Sequence, residues 1–332
     1  MTEPLMTTAV LGAGSWGTAL AIQLARCGHR VLLWGRDAAA VARMAAERVN
    51  ARYLPGIALP AAIQPVASFE NVRGVEEVVV AVPSFAFRDT VAALGPETQR
   101  LAWATKGLEE SSGRLLHEIA AEILGANAKL AALSGPTFAA EVARGLPTAI
   151  TVASNDSAYA DRLAAALHCG AFRAYTSTDL IGVGFGGAVK NVIAIAAGMA
   201  DGLGLGANSR AALITRGLAE MMRLGQKLGV RTETMMGLAG LGDLVLTCTD
   251  DKSRNRRFGL GLARGNTPME VAAQIGQVVE GVGAAAAVHL LSQRCSVEMP
   301  ICEQVYEVLH AGVAPHEAVA ALLERARRSE HD

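Results

Sequence analysis

The sequence lacks several features that would assign it to a specialised class of protein. Its 30 Lys and Arg residues are balanced by 31 Asp and Glu residues, giving a formal net charge of −1. This balance argues against nonspecific nucleic-acid binding through bulk charge. The cysteines are odd in number, scattered and without C-x-x-C spacing: Cys27, Cys169, Cys248, Cys295 and Cys302. We therefore expect buried free thiols in a reducing compartment, with no disulfide framework and no metal site.

Signals for membrane insertion or export are also missing from the sequence. The N-terminus carries Glu3 and has no basic region before a long apolar core, so it does not resemble a signal peptide. The longest apolar run follows Lys190 and is broken by Asp201. That run is shorter than the roughly 18 residues of a membrane span. We expect a cytoplasmic protein with no integral membrane segment.

The chain is long and apolar enough to form two domains. It has 332 residues, of which 51% are hydrophobic, and single domains commonly contain about 100–150 residues. Strand and helix patterns alternate up to about residue 178, whereas no convincing strand pattern follows Asp179. The sequence predicts an α/β domain over residues 1–180 and a helical domain over residues 181–332.

A glycine motif near the N-terminus predicts a dinucleotide site. An apolar strand at 8–11 runs into G-x-G-x-x-G at 12–17, and a helical pattern follows. In this context Gly12 permits a tight turn, Gly14 lets the backbone approach a pyrophosphate, and Gly17 allows close packing of helix on strand. The N–H groups and positive dipole at the start of the helix would face the phosphates.

The end of the second strand bears on the choice between NADP and NAD. This strand spans 30–34 and is followed by Gly35 and Arg36, with no carboxylate at positions 34–36. An NAD site usually has Asp or Glu here to hold the ribose 2′-hydroxyl, whereas arginine can face a 2′-phosphate. Arg36 therefore favours NADP (NADPH). Asp37 is expected to cap the next helix, but it is close enough to reach a ribose, so NAD (NADH) stays open.

Polar residues follow three further predicted strands. These strands span 77–82, 101–105 and 130–133, and two more at 148–153 and 171–175 would complete the sheet. The carboxyl edge of an open α/β sheet is where ligands bind. Lys106, directly after the second of the three, is therefore a candidate contact for phosphate or substrate.

A glycine-rich and apolar stretch at 182–207 is the centre of the predicted helical domain. Between Val189 and Met199 the only polar side chains are Lys190 and Asn191. A helix that is apolar all round lies in the interior, so a lysine at its start would be desolvated, which lowers the pKa of an ammonium towards the range useful for proton transfer. Lys190 is thus a candidate acid/base; the alternative is a lysine that extends from a buried helix to solvent.

A second polar group lies further along the chain. The pattern predicts a helix at 208–228, capped by Asn208 or Ser209, and amphipathic helices over 268–328. Between them, Asp243 falls in a glycine-rich turn, and a hydroxyl, a guanidinium and an amide follow in succession at Ser253, Arg254 and Asn255. The planar fork of arginine suits bidentate phosphate binding.

Several of these stretches match one family in their order along the chain. They are GAGSWGTALA (12–21), ATKGLE (104–109), SGPTFAAE (134–141), GAVKNVIAIAAGMADGLGLGANSRAALITRG (187–217), GLGDLVLTC (240–248), DKSRNRRFG (251–259), VVEGV (278–282) and MPICEQVYEVL (299–309). The sequence resembles the bacterial NAD(P)-dependent glycerol-3-phosphate dehydrogenases along essentially its whole length. The resemblance implies an N-terminal Rossmann domain followed by an all-helical domain like that of 6-phosphogluconate dehydrogenase. It also implies reversible reduction of dihydroxyacetone phosphate to sn-glycerol 3-phosphate, the backbone of phospholipids.

The resemblance also implies roles for individual residues. Besides the glycine motif, the cofactor would contact Ser15, Trp16, Arg36, Tyr53, Lys106, Ala139, Arg254, Val278 and Glu280. The substrate would contact Lys106, Gly135, Thr137, Lys190, Asp243, Ser253, Arg254 and Asn255. One departure is Gly283-Ala284, where family members commonly carry a polar residue and then threonine; it concerns the packing behind Glu280.

These residues together suggest a mechanism and leave two alternatives. Lys190 would protonate the ketone oxygen as hydride reaches carbon, Asp243 would orient the lysine or a substrate hydroxyl, and the phosphate anchor would position the reacting carbon. Another hydroxyacid dehydrogenase of the same architecture would share the glycine loop and an interior lysine, but would not need Ser-Arg-Asn. A non-catalytic NADP sensor would have no use for Lys190 beside Asn191. The apolar composition is compatible with a homodimer.

Overall fold

A computed structural model describes residues 6–324 and contains one eight-stranded sheet in that part of the chain. The strand order is β3-β2-β1-β4-β5-β6-β7-β8, with β7 antiparallel to β6 and all other neighbours parallel. The first six strands have the order of a Rossmann sheet, which confirms the expected fold. The strands are β1 Thr7–Leu11, β2 Arg30–Trp34, β3 Ile63–Val66, β4 Glu77–Val80, β5 Arg100–Trp103, β6 Lys129–Ser134, β7 Thr148–Ser154 and β8 Phe172–Ser177.

Helices cover both faces of this sheet, which is why its central strands β1, β4, β5 and β6 are almost entirely buried. Ala9, Val10 and Leu11 of β1 are fully buried. Asp37 caps the second helix by accepting a hydrogen bond from the N–H of Ala40 at 3.0 Å, as expected. The helices of this part are α1 Ser15–Arg26, α2 Ala38–Glu47, α3 Phe87–Leu94, α4 Leu116–Leu124, α5 Ala139–Arg144 and α6 Ser157–Leu167.

The described chain after β8 is helical and packs around one central helix. Its α-helices are α7 Leu180–Gly202, α8 Gly206–Lys227, α9 Thr232–Met236, α10 Asp243–Thr249, α11 Arg254–Ala263, α12 Pro268–Ile275, α13 Glu280–Cys295, α14 Pro300–Tyr306 and α15 Pro315–Leu323, and Leu238–Gly242 and Glu307–Ala311 are π-helical. Nineteen residues of α7 are buried. Asp179 caps this helix by accepting from the N–H of Gly182 at 2.8 Å. The helical character expected after Asp179 is confirmed.

The structure corrects two expectations about these helices. Lys190 does not open the central helix, because the preceding glycines are themselves helical and α7 already begins at Leu180. The predicted caps of α8 are also wrong, since its N-cap is Leu205 and both Asn208 and Ser209 lie inside the helix. Strand β3 and helices α3–α5 have no counterpart in the sequence prediction. The last predicted helical residues, 325–328, lie outside the described part, and a domain boundary at residue 180 stays a prediction.

By length and composition alone, α7 could cross a membrane. This helix contains 23 residues, and both Lys190 and Asp201, which bound the apolar run of the sequence, lie inside it. However, 89% of its most apolar window is buried inside the protein. It packs mainly against the other helices of this half and also against β6 and β7 of the sheet. Helix α7 therefore forms the core of the helical part.

The expectation that all cysteines are free is wrong for two of them. Cys27, directly after α1, and Cys169, in the turn before β8, form a disulfide. They are 142 residues apart in sequence, and only the fold brings the end of α1 to the turn between α6 and β8. Cys248 and Cys302 are free and buried as expected, and Cys295 is free and half-buried.

The closest helix contact involves two glycines. A Cβ atom on Gly198 of α7 would collide with the carbonyl oxygen of Arg256, and one on Gly259 of α11 would collide with the carbonyl oxygen of Ile195. These two helices therefore meet backbone to backbone. This contact sets the distance between the residues that α7 and α11 carry.

We expect Gly198→Ala to destabilise the protein by about 1–3 kcal/mol, because an added methyl group must push the two backbones apart. The measurement is the midpoint of thermal or denaturant unfolding. Gly184→Ala in the same helix is the matched control, since a Cβ there meets nothing within 4 Å. It should be neutral or slightly stabilising, because alanine favours helix. Equal losses for both variants would show that helix contact is not the cause.

Candidate functional site

The glycine loop between β1 and α1 has the geometry that a dinucleotide requires. Gly12 has a φ of +118°, and a Cβ there would lie 2.7 Å from the carbonyl oxygen of Ala81. A Cβ on Gly17 would collide with the carbonyl oxygen of Gly12, which explains the close packing of helix on strand. Gly14 has nothing within 4 Å of its Cβ position, so the space beside this residue is open for a ligand.

The donors around this loop fit the phosphates of NAD(P). Helix α1 begins at Ser15 and presents the N–H groups of its first turn at the open side of the loop. The buried indole N–H of Trp16 has no hydrogen-bond partner within the described part of the chain. Ser15 donates to Gln277 Oε1 at 3.3 Å, which connects the loop to the segment between α12 and α13. An unsatisfied donor beside an open glycine is what a bound phosphate group would complete.

Asn50 supports the loop from behind and was missed by the sequence analysis. Its buried amide donates to the carbonyl oxygen of Ala13 at 2.9 Å and to Thr18 Oγ1 at 2.8 Å. The same turn contains Tyr53, half-buried next to the guanidinium of Arg52. Arg36 is exposed directly after β2, the strand beside β1. Arg36 thus lies near the end of the strand at which Rossmann domains generally bind the adenine ribose, and its contact with a cofactor stays a prediction.

A buried carboxylate joins two lysines at the carboxyl edge of the sheet. Asp243 Oδ1 accepts from Lys190 Nζ at 2.8 Å, and Oδ2 accepts from Lys106 Nζ at 2.7 Å. Asp243 is 1% exposed and Lys190 is 6% exposed. Lys106 also donates to the carbonyl oxygen of Gly135 at 2.9 Å. With both lysines charged this group carries one net positive charge, which suits an anionic substrate or a developing negative oxygen.

Burial lowers the pKa of Lys190 to about 8. The loss of hydration is the largest cause and the positive charge of Lys106 adds to it, whereas the carboxylate of Asp243 opposes it. A lysine with this pKa can both donate and accept a proton near neutral pH. The interior position of Lys190 follows the sequence prediction, and the side chain does not extend to solvent.

Thr247 completes this group, although the sequence analysis did not select it. Its hydroxyl lies 2.7 Å from Lys190 Nζ and 2.5 Å from the carbonyl oxygen of Asp243. The signal available in the sequence was its spacing, because Thr247 follows Asp243 by one helical turn in α10. The π-helical turn Leu238–Gly242 directly before Asp243 sets where α10 begins, and such turns are frequent at functional sites.

Two amides connect α7 to the predicted phosphate anchor. Asn191 Oδ1 accepts from Asn255 Nδ2 at 2.8 Å, while Asn191 Nδ2 donates to the carbonyl oxygen of Lys106 at 3.3 Å. Asn255 Oδ1 in turn accepts from the N–H of Gly281 at 3.0 Å. The residues adjacent in sequence to Lys190 and Arg254 are therefore in direct contact.

The predicted anchor residues sit at the start of α11. Ser253 caps this helix by accepting from the N–H of Arg256 at 3.2 Å. Arg254 is half-buried, donates to the carbonyl oxygen of Val278 at 2.7 Å, and has its pKa lowered by burial. The first N–H groups of a helix have no backbone partner within it, so the start of α11 is a position that can bind an anion.

Glu280 ties the start of α13 to the sheet edge. Its carboxylate accepts from Ser84 Oγ at 2.8 Å and from the N–H of Ser84 at 3.3 Å, and burial raises its pKa. Gly107 must be glycine here, because a Cβ would collide with the side chain of Ser84. At the departure from the family pattern, a Cβ on Gly283 would lie 2.8 Å from a carboxylate oxygen of Glu110, an exposed side chain that can move aside.

The structure thus brings most candidate residues together by direct contacts. Lys106, Gly135, Lys190 and Asp243 form one group, and Thr137 joins it by donating to the carbonyl oxygen of Gly135 at 3.2 Å. A second group is built around the starts of α11 and α13 and contains Ser253, Arg254, Asn255, Val278 and Glu280. Ala139 is the first residue of α5 and follows the loop at 135–138 that contains Gly135 and Thr137. The ligand contacts of all these residues remain predictions.

Comparison with known proteins supplies the family. The model described as NAD-dependent glycerol-3-phosphate dehydrogenase N-terminus matches residues 7–160, and the model for the C-terminus of the same family matches residues 179–320. A glycerol-3-phosphate dehydrogenase (NAD(P)+) of Aeromonas hydrophila is 56% identical over 327 residues, which cover 97% of this chain and 98% of that one. The enzyme of that name in Thioalkalivibrio sulfidiphilus is 54% identical over 334 residues, covering 99% and 100%.

Solved structures agree with these matches. Glycerol-3-phosphate dehydrogenase from Coxiella burnetii superposes with a TM-score of 0.93 at 49% identity, covering 97% of this chain and 99% of that one. The Saccharomyces cerevisiae enzyme gives a TM-score of 0.80 at 26% identity, covering 97% and 100%. Sequence similarity over both halves and the same Rossmann and helical architecture lead to one conclusion: the chain belongs to the NAD-dependent glycerol-3-phosphate dehydrogenase family.

Proposed function

We propose that this protein catalyses the reversible reduction of dihydroxyacetone phosphate to sn-glycerol 3-phosphate with NADPH or NADH. The observation that carries the proposal is the buried Lys106–Asp243–Lys190 group at the carboxyl edge of a Rossmann sheet, beside an open glycine loop. Relatives that are more than half identical carry the name of this activity. The direct test is the decrease in reduced-nicotinamide absorbance when dihydroxyacetone phosphate is added.

The side chains support a division of work between two groups. When bound, the nicotinamide supplies the hydride. Lys190 in its protonated form donates a proton to the ketone oxygen, and Asp243 holds the ammonium in position through a 2.8 Å hydrogen bond. Lys106 adds positive charge beside the same oxygen. Arg254, with Ser253 and Asn255 at the start of α11, anchors the phosphate and thereby fixes where the reacting carbon lies.

The cofactor site follows from the contacts around the glycine loop. The N–H groups at the start of α1 and the unpartnered indole N–H of Trp16 would hold the pyrophosphate, and Arg36 would contact the 2′ position of the adenine ribose. Glu280 and Val278 close the site from the helical side, where Ser15 also contacts Gln277. Backbone contacts to the pyrophosphate would serve NADH and NADPH alike, and Arg36 would supply a preference for NADPH.

The wider role is part of the proposal. The product is the glycerol backbone of phospholipids, so the enzyme would supply lipid synthesis in the cytoplasm. Its partners would be these small molecules and a second copy of the chain in a homodimer. The net charge of −1 supports a role without nucleic acid, and the burial of α7 within the protein core supports one without membrane insertion.

The two neighbours of Lys190 are expected to shift the pH dependence of catalysis in opposite directions. In the native enzyme, kcat/KM for ketone reduction should fall above about pH 8, where Lys190 loses its proton, and kcat/KM for alcohol oxidation should fall below it. Asp243→Asn removes the charge that raises the pKa of Lys190, so the reduction limb should move to lower pH. Lys106→Met removes the charge that lowers it, so the limb should move to higher pH.

Lys190→Met is the control for this series, and it should lose at least about a hundredfold in kcat while still binding cofactor. The measurement is initial rate against pH from 6 to 10 in both directions, with unfolding midpoints to verify that each variant is folded. Shifts of the same sign in both neighbour variants would contradict the assignment of Lys190 as the titrating group.

Arg254→Ala should separate phosphate anchoring from chemistry. A charge-assisted hydrogen bond contributes about 1.5–3 kcal/mol, so kcat/KM for dihydroxyacetone phosphate should fall by roughly tenfold to a hundredfold. Arg254→Lys should recover only part of this loss, because it keeps the charge without the planar fork. Dihydroxyacetone, which has no phosphate, is the control substrate. The native enzyme should reduce dihydroxyacetone slowly, and Arg254→Ala should change that rate little. Equal losses on both substrates would show that Arg254 does not bind the phosphate.

Arg36→Glu should discriminate between the two cofactors. Replacing a cation that faces the 2′-phosphate by an anion should raise the Kd of NADPH at least about tenfold more than that of NADH. The Kd of each cofactor is measured by titration of nicotinamide fluorescence, or its KM is measured from initial rates at fixed substrate concentration. Arg43→Glu is the matched control, since this arginine is exposed on α2. If the first variant weakens both cofactors equally, Arg36 does not read the 2′ position.

A further inference from the structure

The disulfide between Cys27 and Cys169 lies outside the machinery described above. Cys27 follows the last residue of α1, the helix whose first turn faces the cofactor, and Cys169 lies in the turn between α6 and β8. Both residues are half-buried, and Cys169 lines a cavity through which a small reagent can approach the pair. The two cysteines are 142 residues apart in the sequence, and their disulfide joins two elements of the sheet half.

The surroundings of the sulfur atoms favour thiolate chemistry. The side-chain amide of Gln23 donates to the carbonyl oxygen of Leu167 at 2.9 Å and lies 3.4 Å from Cys27 Sγ and 3.3 Å from Cys169 Sγ. When the disulfide is open, this N–H group can donate to a sulfur anion and stabilise it. The thiolate is the form that attacks disulfides, so the amide favours exchange at this position.

A cavity of about 270 Å³ opens beside the pair. Cys169, Gly170 and Arg26 are among its lining residues. Arg173 flanks it as well, because its guanidinium donates to the carbonyl oxygen of Gly170 at 2.8 Å. Arg26 in the lining and Arg173 beside it contribute positive charge at this cavity, which makes it suited to a small molecule that carries carboxylates.

We propose that Cys27 and Cys169 form a reversible thiol–disulfide site that exchanges with small anionic disulfides. One cysteine thiolate attacks the small disulfide, which breaks its S–S bond, forms a mixed disulfide with the protein and releases one small thiolate. The second cysteine thiolate then attacks the protein sulfur of the mixed disulfide and releases the second small thiolate. The protein dithiol is oxidised, losing two protons and two electrons, and the small disulfide is reduced to two thiols.

Oxidation of Cys27 and Cys169 is expected to change the stability of the elements that the disulfide connects. The guanidinium of Arg26, next to Cys27, donates to the carbonyl oxygens of Val142 and Ala143 near the end of α5. The disulfide adds a covalent bond at this junction of α1, α5 and the turn before β8. Closing a long loop restricts the unfolded chain and thereby stabilises the native one. In a reducing compartment such pairs are generally transient and respond to redox conditions, so this one would set the stability of the cofactor-binding half.

The test uses the full-length enzyme equilibrated with mixtures of reduced and oxidised glutathione, then alkylated and mapped by peptide mass spectrometry. We expect one intramolecular disulfide, between Cys27 and Cys169, that forms in oxidised and disappears in reduced glutathione. The unfolding midpoint should fall by about 5 °C on reduction. Cystamine, a cationic disulfide, should form the bond at least about threefold more slowly than oxidised glutathione at equal concentration.

Single variants identify the exchange step. In Cys27→Ser the remaining Cys169 should retain one glutathionyl group, and the redox dependence of the unfolding midpoint should vanish. Cys295→Ser is the matched control, because Cys295 is a free and half-buried cysteine on another helix, and this variant should behave like the native enzyme. Absence of the Cys27–Cys169 peptide under oxidised glutathione, its persistence in excess reduced glutathione, or an unchanged midpoint would each overturn the proposal. No readout involves substrate, so the outcome is independent of the proposed reaction.

Discussion

The carboxylate of Asp243 is the interaction on which the site depends. A buried lysine is costly unless an opposite charge and hydrogen bonds compensate it, and Asp243 compensates two, one on each oxygen. Removing either lysine leaves the other paired, whereas removing the carboxylate leaves the buried Lys190 and the half-buried Lys106 without their counter-charge. The group is therefore asymmetric: its single anion determines whether the cations can be buried, and the cations determine the charge presented to a ligand. The position of Asp243 at the start of α10, after a π-helical turn, is correspondingly tightly defined.

Glycine and asparagine residues hold the helices around this carboxylate at their observed separation. Backbone contact at Gly198 and Gly259 holds α7 against α11, and the amide contact between Asn191 and Asn255 fixes their register. Asn191 also reaches the backbone of Lys106, so one neutral side chain connects the sheet, the central helix and the proposed phosphate anchor. Because amides do not titrate, this framework keeps its geometry while Lys190 gains and loses a proton.

The features that could be predicted from the sequence are those that depend on local sequence patterns. The glycine loop, the apolar strands, the cap at Asp37 and the interior position of Lys190 all follow from period, turn chemistry and composition. Contacts between distant segments could not be found in this way. The disulfide of Cys27 with Cys169, the support of the glycine loop by Asn50 and the contact of Ser84 with Glu280 depend on tertiary structure alone. The helix start was misjudged because the glycines before Lys190 lower helix propensity, a local preference that burial of α7 overrides.

The pairing of Lys106 with Asp243 has a consequence for how such proteins can be assembled from parts. Lys106 follows a strand of the sheet, whereas Asp243 and Lys190 belong to the helical half. Neither half alone contains a complete set of charges, so neither can be exchanged as an independent module. A nucleotide-binding sheet taken from an unrelated protein would bind its cofactor and yet leave one oxygen of the carboxylate without its cation. A recombinant of two homologues would therefore keep this pairing only where the donor sheet brings a cation just after its fifth strand.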